Sequence, residues 1–215
     1  MSVGVLIPSR SRPEQLLQAV ESVLTTSQAT VLAYVDDDQM EMYDAAIESS
    51  RREPRFRVFC GPQVGPVESA NRLIAMCPEH AAYGLITDDA RMVGKGWDDW
   101  LSGVLDGFPG RIAVISPRHN LGEHVDMPFV SKEWIQVVGW YACPECYHFC
   151  WPILTGLIGE MTAIVYPPEQ CFSVHHLGLP HSNLALREED AQVFFEYVSL
   201  KLPPIVHRLR KAMAA

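Results

Sequence analysis

The feature that most constrains this chain is an alternation in its first ninety residues. Short, mainly apolar runs at residues 3–7, 31–35, 56–60 and 83–87 are separated by segments whose apolar residues recur at helical spacing. A run such as Val3-Gly4-Val5-Leu6-Ile7 has no polar side, so it predicts a strand covered on both faces. Leu16, Leu17, Val20, Val23 and Leu24 predict the first intervening helix; residues 40–52 and 67–76 predict the next two. Ser11 is expected to cap the first helix, with Pro13 at an early helical position. Gly61-Pro62 and Gly65-Pro66 read as turns. Strands and helices joined by short loops imply an α/β fold with a Rossmann-like, mostly parallel central sheet and helices on both faces.

The second half is less regular. Helices are expected at 97–105 and 188–200, and a short one capped by Ser131 and running to Val138. Strands are expected at 112–116, 162–166 and 172–175. His207, Arg208, Arg210 and Lys211 form a basic C-terminal stretch, read as the solvated face of a helix. A length of 215 residues suits a single domain, taken as 1–200 with a basic tail at 201–215. Hydrophobic residues at 48% and charged residues at 20% are globular proportions and exclude a disordered chain. A net charge of −9 argues against a broad basic face for duplex nucleic acid. The first residues lack a basic leader region, and the longest apolar stretch, 151–166, is interrupted by Glu160 and glycines. The expectation is therefore a cytoplasmic protein without a transmembrane segment, and nothing points to a protein partner.

Strands one, two and four end in polar residues: Ser9-Arg10, Asp36-Asp37-Asp38 and Asp88-Asp89. In open parallel sheets ligands bind beyond the carboxyl ends of the strands. Carboxylates there can hold a hard divalent cation and leave other positions to diphosphate and water. Taken alone, each acidic group is equally readable as a turn or a helix cap.

The order of these motifs resembles the family-2-like glycosyltransferases of the GT-A fold. Residues 3–14, VGVLIPSRSRPE, look like that family's opening strand and turn. Residues 33–43, AYVDDDQMEMY, are similar to its second strand with an acidic end. Residues 65–73, GPVESANRL, resemble its glycine-then-Asn segment. Residues 85–100, LITDDARMVGKGWDDW, look like its Asp-x-Asp-type metal site and following Gly-Trp-Asp turn. The resemblance spans about residues 2–200 and implies a GT-A-like single domain. It implies Mn2+ or Mg2+ as cofactor, a nucleotide-sugar donor with a UDP-sugar favoured, and an acceptor hydroxyl on a glycan or on a hydroxymethylated base of phage DNA. Carried over by residue, Asp89 is the leading metal ligand, and Asp88 shares the ion or faces the sugar or ribose. Pro8, Ser9, Arg10 and Arg12 are expected against the nucleotide. Asp36, or alternatively Asp38, is expected on base or ribose, and Asn71 and Arg72 near diphosphate or sugar. Thr87 stands where many members have the first acid, so the division of labour between Asp88 and Asp89 stays open.

A histidine after a late strand completes the metal site in many members. His175 is the expected match and His176 the next. Inverting members carry a carboxylate base after a segment like 129–140, FVSKEWIQVVGW, often following a His-aromatic pair; here no Asp closely follows His148. Glu145, His148 and Glu160 are the candidate bases. A displaced base, a retaining mechanism or an inactive nucleotide-sugar-binding relative all fit this departure. A nucleotidyltransferase would share the sheet, but residues 8–13 lack the glycine-rich loop expected of one. Cys143, Cys146, His148 and Cys150 have partial zinc-ligand spacing; buried free thiols are the reading preferred over zinc or redox chemistry. Met40, Met42 and Tyr43 are read as core or rim.

Overall fold

The computed structural model describes residues 2–120, 125–148, 150–177 and 185–215, the last without the side chains of 185–188. Phe149 lies outside the described residues. Strand β1 (Val3–Ser9) leads into α1 (Pro13–Thr26), β2 (Thr30–Asp36), a 3-10 turn (Asp37–Tyr43) and α2 (Asp44–Arg52). Then come β3 (Phe56–Gly61), α3 (Gly65–Met76), β4 (Ala82–Leu85), β5 (Ala90–Val93) and α4 (Trp97–Asp106). The second half holds β6 (Val114–Ile115), β7 (Arg118–His119), β8 (Phe129–Ser131), α5 (Lys132–Val138) and α6 (Trp151–Met161). It ends with β9 (Ile164–Val165), β10 (Ser173–His176), α7 (Ala185–Leu200) and α8 (Leu202–Met213).

Seven strands form one sheet in the order β3-β2-β1-β4-β8-β6-β9. The pairs among β3, β2, β1 and β4 are parallel, and β8 runs antiparallel to both of its neighbours. The predicted mostly parallel sheet is therefore present. Its faces are covered separately. Val3, Val5 and Ile7 of β1 join α1 and α4 residues such as Leu16, Val23, Trp97 and Leu101 on one side. Leu6, from the other face of the same strand, joins Leu32, Val67, Leu73, Trp134 and Leu154 on the other. Burial on both faces is why the strand sequences show no polar alternation.

A second sheet of three short strands, β5-β10-β7, was not expected from the sequence. Strand β10 lies antiparallel to β5, with His176 opposite Ala90 and His175 opposite Arg91. This pairing brings a late segment against the residues that follow β4, and it is the feature of the fold that matters most for the site.

Two local expectations are corrected. Residues 40–52 are not one helix. The segment after Asp36 first winds as a 3-10 turn, with Tyr43 fully buried and Met40 and Met42 exposed, and regular helix starts at Asp44. Ser11 does not cap α1. It adopts φ +60, its backbone N–H and Oγ both meet Gln39, and Arg12 takes the N-cap position. Residues 151–161, for which the sequence reading named no element, form an α-helix. Its Gly156 and Gly159 sit where an added Cβ would come 2.6 Å from Val125 and 3.1 Å from Val114, so the helix packs close to its neighbours. The Ser131 cap is present, with its Oγ accepting from the Trp134 N–H at 3.0 Å.

The basic residues of 201–215 do lie on an exposed helix face. The opposite face of α8 places Leu202, Ile205, Val206 and Leu209 in the core. No helix among the described residues is long and apolar enough to cross a membrane.

Candidate active site

The strand order reverses at β1, which lies between β2 and β4. A crevice at such a switch point is where parallel α/β sheets place ligands. Here the carboxyl ends of β1, β2 and β4 border a cavity of about 530 Å³. Its lining includes Pro8, Ser9, Arg10, Arg12, Asp36, Asp88, Asp89 and His148 from the sequence-predicted set.

At its floor stand two buried carboxylates. Asp88 is 6% exposed and Asp89 is 1% exposed. Ser9 Oγ donates to Asp88 Oδ2 at 2.8 Å, and Arg12 Nη1 lies 3.3 Å from Asp88 Oδ1 and 3.2 Å from Asp89 Oδ2. Burial pushes the Asp88 carboxyl above its ordinary range, opposed by the Ser9 hydrogen bond and the Arg12 charge. Tyr43 braces this corner: its phenol oxygen is 2.8 Å from Ser9 Oγ and accepts from the Arg12 N–H at 3.0 Å.

The antiparallel β5–β10 pair brings His176 to the same place. Its Nε2 is 3.3 Å from Asp89 Oδ1, and the ring is buried. Leu177 N–H donates to the Asp89 carbonyl at 2.9 Å, locking the crossing. His175, the first choice from sequence, is exposed on the other side of the strand. The imidazole beside the aspartates is therefore His176, because side chains alternate along β10 and Val174, two residues before it, faces the core.

Asp89 Oδ1 is buried yet accepts no hydrogen bond with good geometry. A buried carboxylate oxygen in that condition, facing an imidazole nitrogen, suits a divalent cation. Among the described residues no three His, Cys, Asp or Glu side chains are gathered tightly enough to hold an ion unaided. Asp89 and His176 could hold an ion only together with ligands from outside the protein, such as phosphate oxygens and water. The same absence leaves the Cys143, Cys146, Cys150 and His148 group without the convergence a tetrahedral zinc needs. Cys143 and Cys146 are buried, and Cys143 Sγ lies 3.2 Å from Glu145 Oε2.

A second acidic corner sits at the end of β2. Arg10 bonds Asp36 through Nη1 and grips both oxygens of Asp38 at 2.9 and 2.8 Å. The paired guanidinium holds the Asp38 carboxyl below its usual range. Asp36 lines the cavity, whereas Asp38 is not among the lining residues.

Other candidates are engaged elsewhere. Asn71 donates to the Ala142 carbonyl at 2.8 Å and accepts from the N–H groups of Tyr141 and Ala142. Arg72 pairs with Glu68 one turn away on α3. Glu145 receives Lys201 at 2.6 Å; burial raises its carboxyl, but Lys201 and Cys143 outweigh that and leave it below the ordinary range. Glu160 accepts from the Tyr166 hydroxyl at 2.6 Å on an exposed helix face. Of the three candidate bases, His148 alone lines the cavity.

Sequence reasoning did not single out Tyr34, Gln63, Pro66, Ser69 and Tyr147, which also line the cavity. It also missed Asp190, buried on α7, whose two oxygens accept from the N–H groups of Tyr147 and His148 at 2.7 and 2.9 Å. The Tyr147 ring packs so closely on Gly65 (φ +77) that a Cβ there would lie 2.9 Å from it. Turn chemistry marked the Gly65 loop, but no local signal links it to a residue more than eighty positions later.

No family profile and no curated protein matches the sequence. Solved structures do match the fold. TarS of S. aureus aligns over 99% of this chain and 43% of its own length, at 11% identity and TM-score 0.66. The mannosyltransferase PcManGT from Pyrobaculum calidifontis, solved with GDP-Man and Mn2+, aligns over 99% of this chain and 74% of its own, at 11% identity and TM-score 0.66. GalNAc-T7, solved with UDP, GalNAc and Mn2+, aligns over 99% of this chain and 54% of its own, at 10% identity and TM-score 0.68. The chain thus spans less than half the length of TarS and about half that of GalNAc-T7. The architecture that these proteins share with this chain is the GT-A glycosyltransferase fold.

Proposed function

We propose that this chain is a metal-dependent glycosyltransferase, moving a sugar from a nucleotide-diphosphate donor, most readily a UDP-sugar, to an acceptor hydroxyl. The observation that carries the reading is the cavity at the switch point of the sheet, floored by buried Asp88 and Asp89 with His176 beside them. Mn2+ or Mg2+ held by Asp89, His176 and Asp88 would neutralise charge on the departing diphosphate. Solved structures of the same fold contain UDP or GDP-Man, two of them with Mn2+, which supports the donor class.

The remaining side chains have separable tasks. Arg10 fixes Asp36 where its carboxylate can accept from ribose or base hydroxyl and N–H groups. Ser9 and Tyr43 hold Asp88 in place. To His148, which lines the cavity on a loop whose backbone Asp190 pins, we assign removal of the proton from an acceptor hydroxyl. The acceptor is a glycan, or alternatively a hydroxymethylated base in phage DNA; the net charge of −9 favours the glycan. The setting we assign is the cytoplasm, where nucleotide sugars are available.

Isothermal titration with Mn2+ and UDP tests the reading directly. Wild-type protein is expected to bind both, and Asp89→Asn to lose the Mn2+-dependent part. Failure of the wild type to take up either ligand defeats the proposal. His148→Ala is expected to retain UDP binding while donor turnover falls by about 10²–10⁴-fold, the usual share of a general base. Engagement of Glu145 and Glu160 elsewhere also favours a second reading, a donor-binding protein without transfer. Sugar release from a UDP-sugar that disappears in Asp89→Asn eliminates it.

A further inference from the structure

Arg12 already supplies the aspartate pair with the positive charge that a bound cation would also bring. Its Nη1 lies 3.3 Å from Asp88 Oδ1 and 3.2 Å from Asp89 Oδ2, one oxygen of each carboxylate. Both acids are buried, so their charges repel in a poorly screened place and require a positive partner. The backbone brings the guanidinium there deliberately. Ser11 takes a left-handed conformation, pinned by Gln39, and the Arg12 N–H is fixed on the Tyr43 phenol oxygen.

A divalent ion on Asp89 Oδ1 and His176 Nε2 would share these buried carboxylates with the Arg12 guanidinium, and the two positive charges repel in a poorly screened place. Arg12 also lines the cavity in which a diphosphate would carry its negative charge. Resting on the glycosyltransferase reading, we infer that Arg12 is a built-in competitor for the metal, which a nucleoside diphosphate relieves by drawing the guanidinium onto its phosphates. Metal alone must bind against the Arg12 charge. Metal together with diphosphate gives Arg12 a new anionic partner, so each ligand strengthens the other. Reciprocity then requires Mn2+ to raise UDP affinity by the same factor that UDP raises Mn2+ affinity.

The test measures Mn2+ binding, by titration calorimetry and by the paramagnetic signal of free Mn2+, with and without UDP. Arg12→Met is expected to bind Mn2+ alone more tightly than wild type by about tenfold, within the usual span of coupling between sites. The gain in Mn2+ affinity that UDP confers should shrink by a similar factor. Mn2+ should also raise the melting temperature of Arg12→Met more than that of the wild type, since the variant lacks its own counter-charge. Arg12→Lys, which keeps a positive charge, is expected to stay close to wild type and serves if the Met variant does not fold. Arg57→Met, which unties the exposed Glu79 outside the cavity lining instead, should leave the affinity for Mn2+ alone unchanged. Equal Mn2+ affinity in wild type and Arg12→Met, or an undiminished UDP effect in that variant, overturns the inference. A wild type that binds neither Mn2+ nor UDP instead overturns the functional reading on which it rests.

Discussion

Parity along a strand decides which of two adjacent histidines meets the aspartates. Val174 is fully buried and His176 shares its face, whereas His175 is exposed. The apolar character of Val174 was the available signal, and it outweighs position within a motif. Asn71 teaches the same lesson from the other direction. Its amide satisfies three backbone groups of Tyr141 and Ala142, so it fastens α3 to a distant loop. Asn71→Ala leaves those groups without partners and is expected to cost about 1–3 kcal/mol of stability. Affinity for UDP and Mn2+ should be unaffected. Chemical denaturation beside calorimetry checks both statements, and a selective loss of UDP binding at unchanged stability would return Asn71 to the donor site. Residues that end β1, β2 and β4 were legible because a polar residue after a buried apolar run has few structural uses. Tyr34, Tyr147 and Asp190 were not, because each reaches the site or its supporting loop through tertiary packing alone.

Among the elements, legibility followed length and burial. Strands β1 and β2, seven residues long, leave continuous apolar runs that sequence exposes at once, and the six residues of β3 a run broken only by Arg57. Strands β5, β7 and β8 have four, two and three residues, too few to show a period. Helix α6 hides for another reason: its glycines serve close packing and dilute the helical pattern. Helix α8 shows how an apolar face can be overlooked beside a run of charges. Leu209 is fully buried there, while Arg208 and Arg210 flank it and bond the carbonyls of Val137 and Met161. Leu209→Ala is expected to destabilise the protein by about 2–5 kcal/mol, the usual range for a buried leucine. Urea unfolding measures this. A loss below about 0.5 kcal/mol, typical of a surface position, would show α8 to be dispensable.

For the molecule as a whole, the dependence of stability on pH has an identifiable contributor away from the cavity. His80 is 4% exposed, and neither ring nitrogen has a hydrogen-bond partner. Burial lowers its pKa, with Glu79 at 3.9 Å working weakly the other way. The folded chain therefore resists a proton that the unfolded chain accepts near pH 6.5. Its contribution is intact above that pH and is lost as the pH falls through the lowered folded value. Wild-type urea midpoints should drop between pH 8 and pH 5, and His80→Leu should drop less. Identical slopes would remove His80 as the cause.

The β5–β10 crossing also has a temporal meaning. Every acid that floors the cavity lies in the first ninety residues, but the imidazole arrives only with residue 176. On the ribosome the acidic pocket emerges long before the strand that completes it. A nascent chain halted ahead of β10 therefore carries the buried acids without the imidazole beside them, and on the metal-dependent reading proposed above the ion site would be completed only late in synthesis.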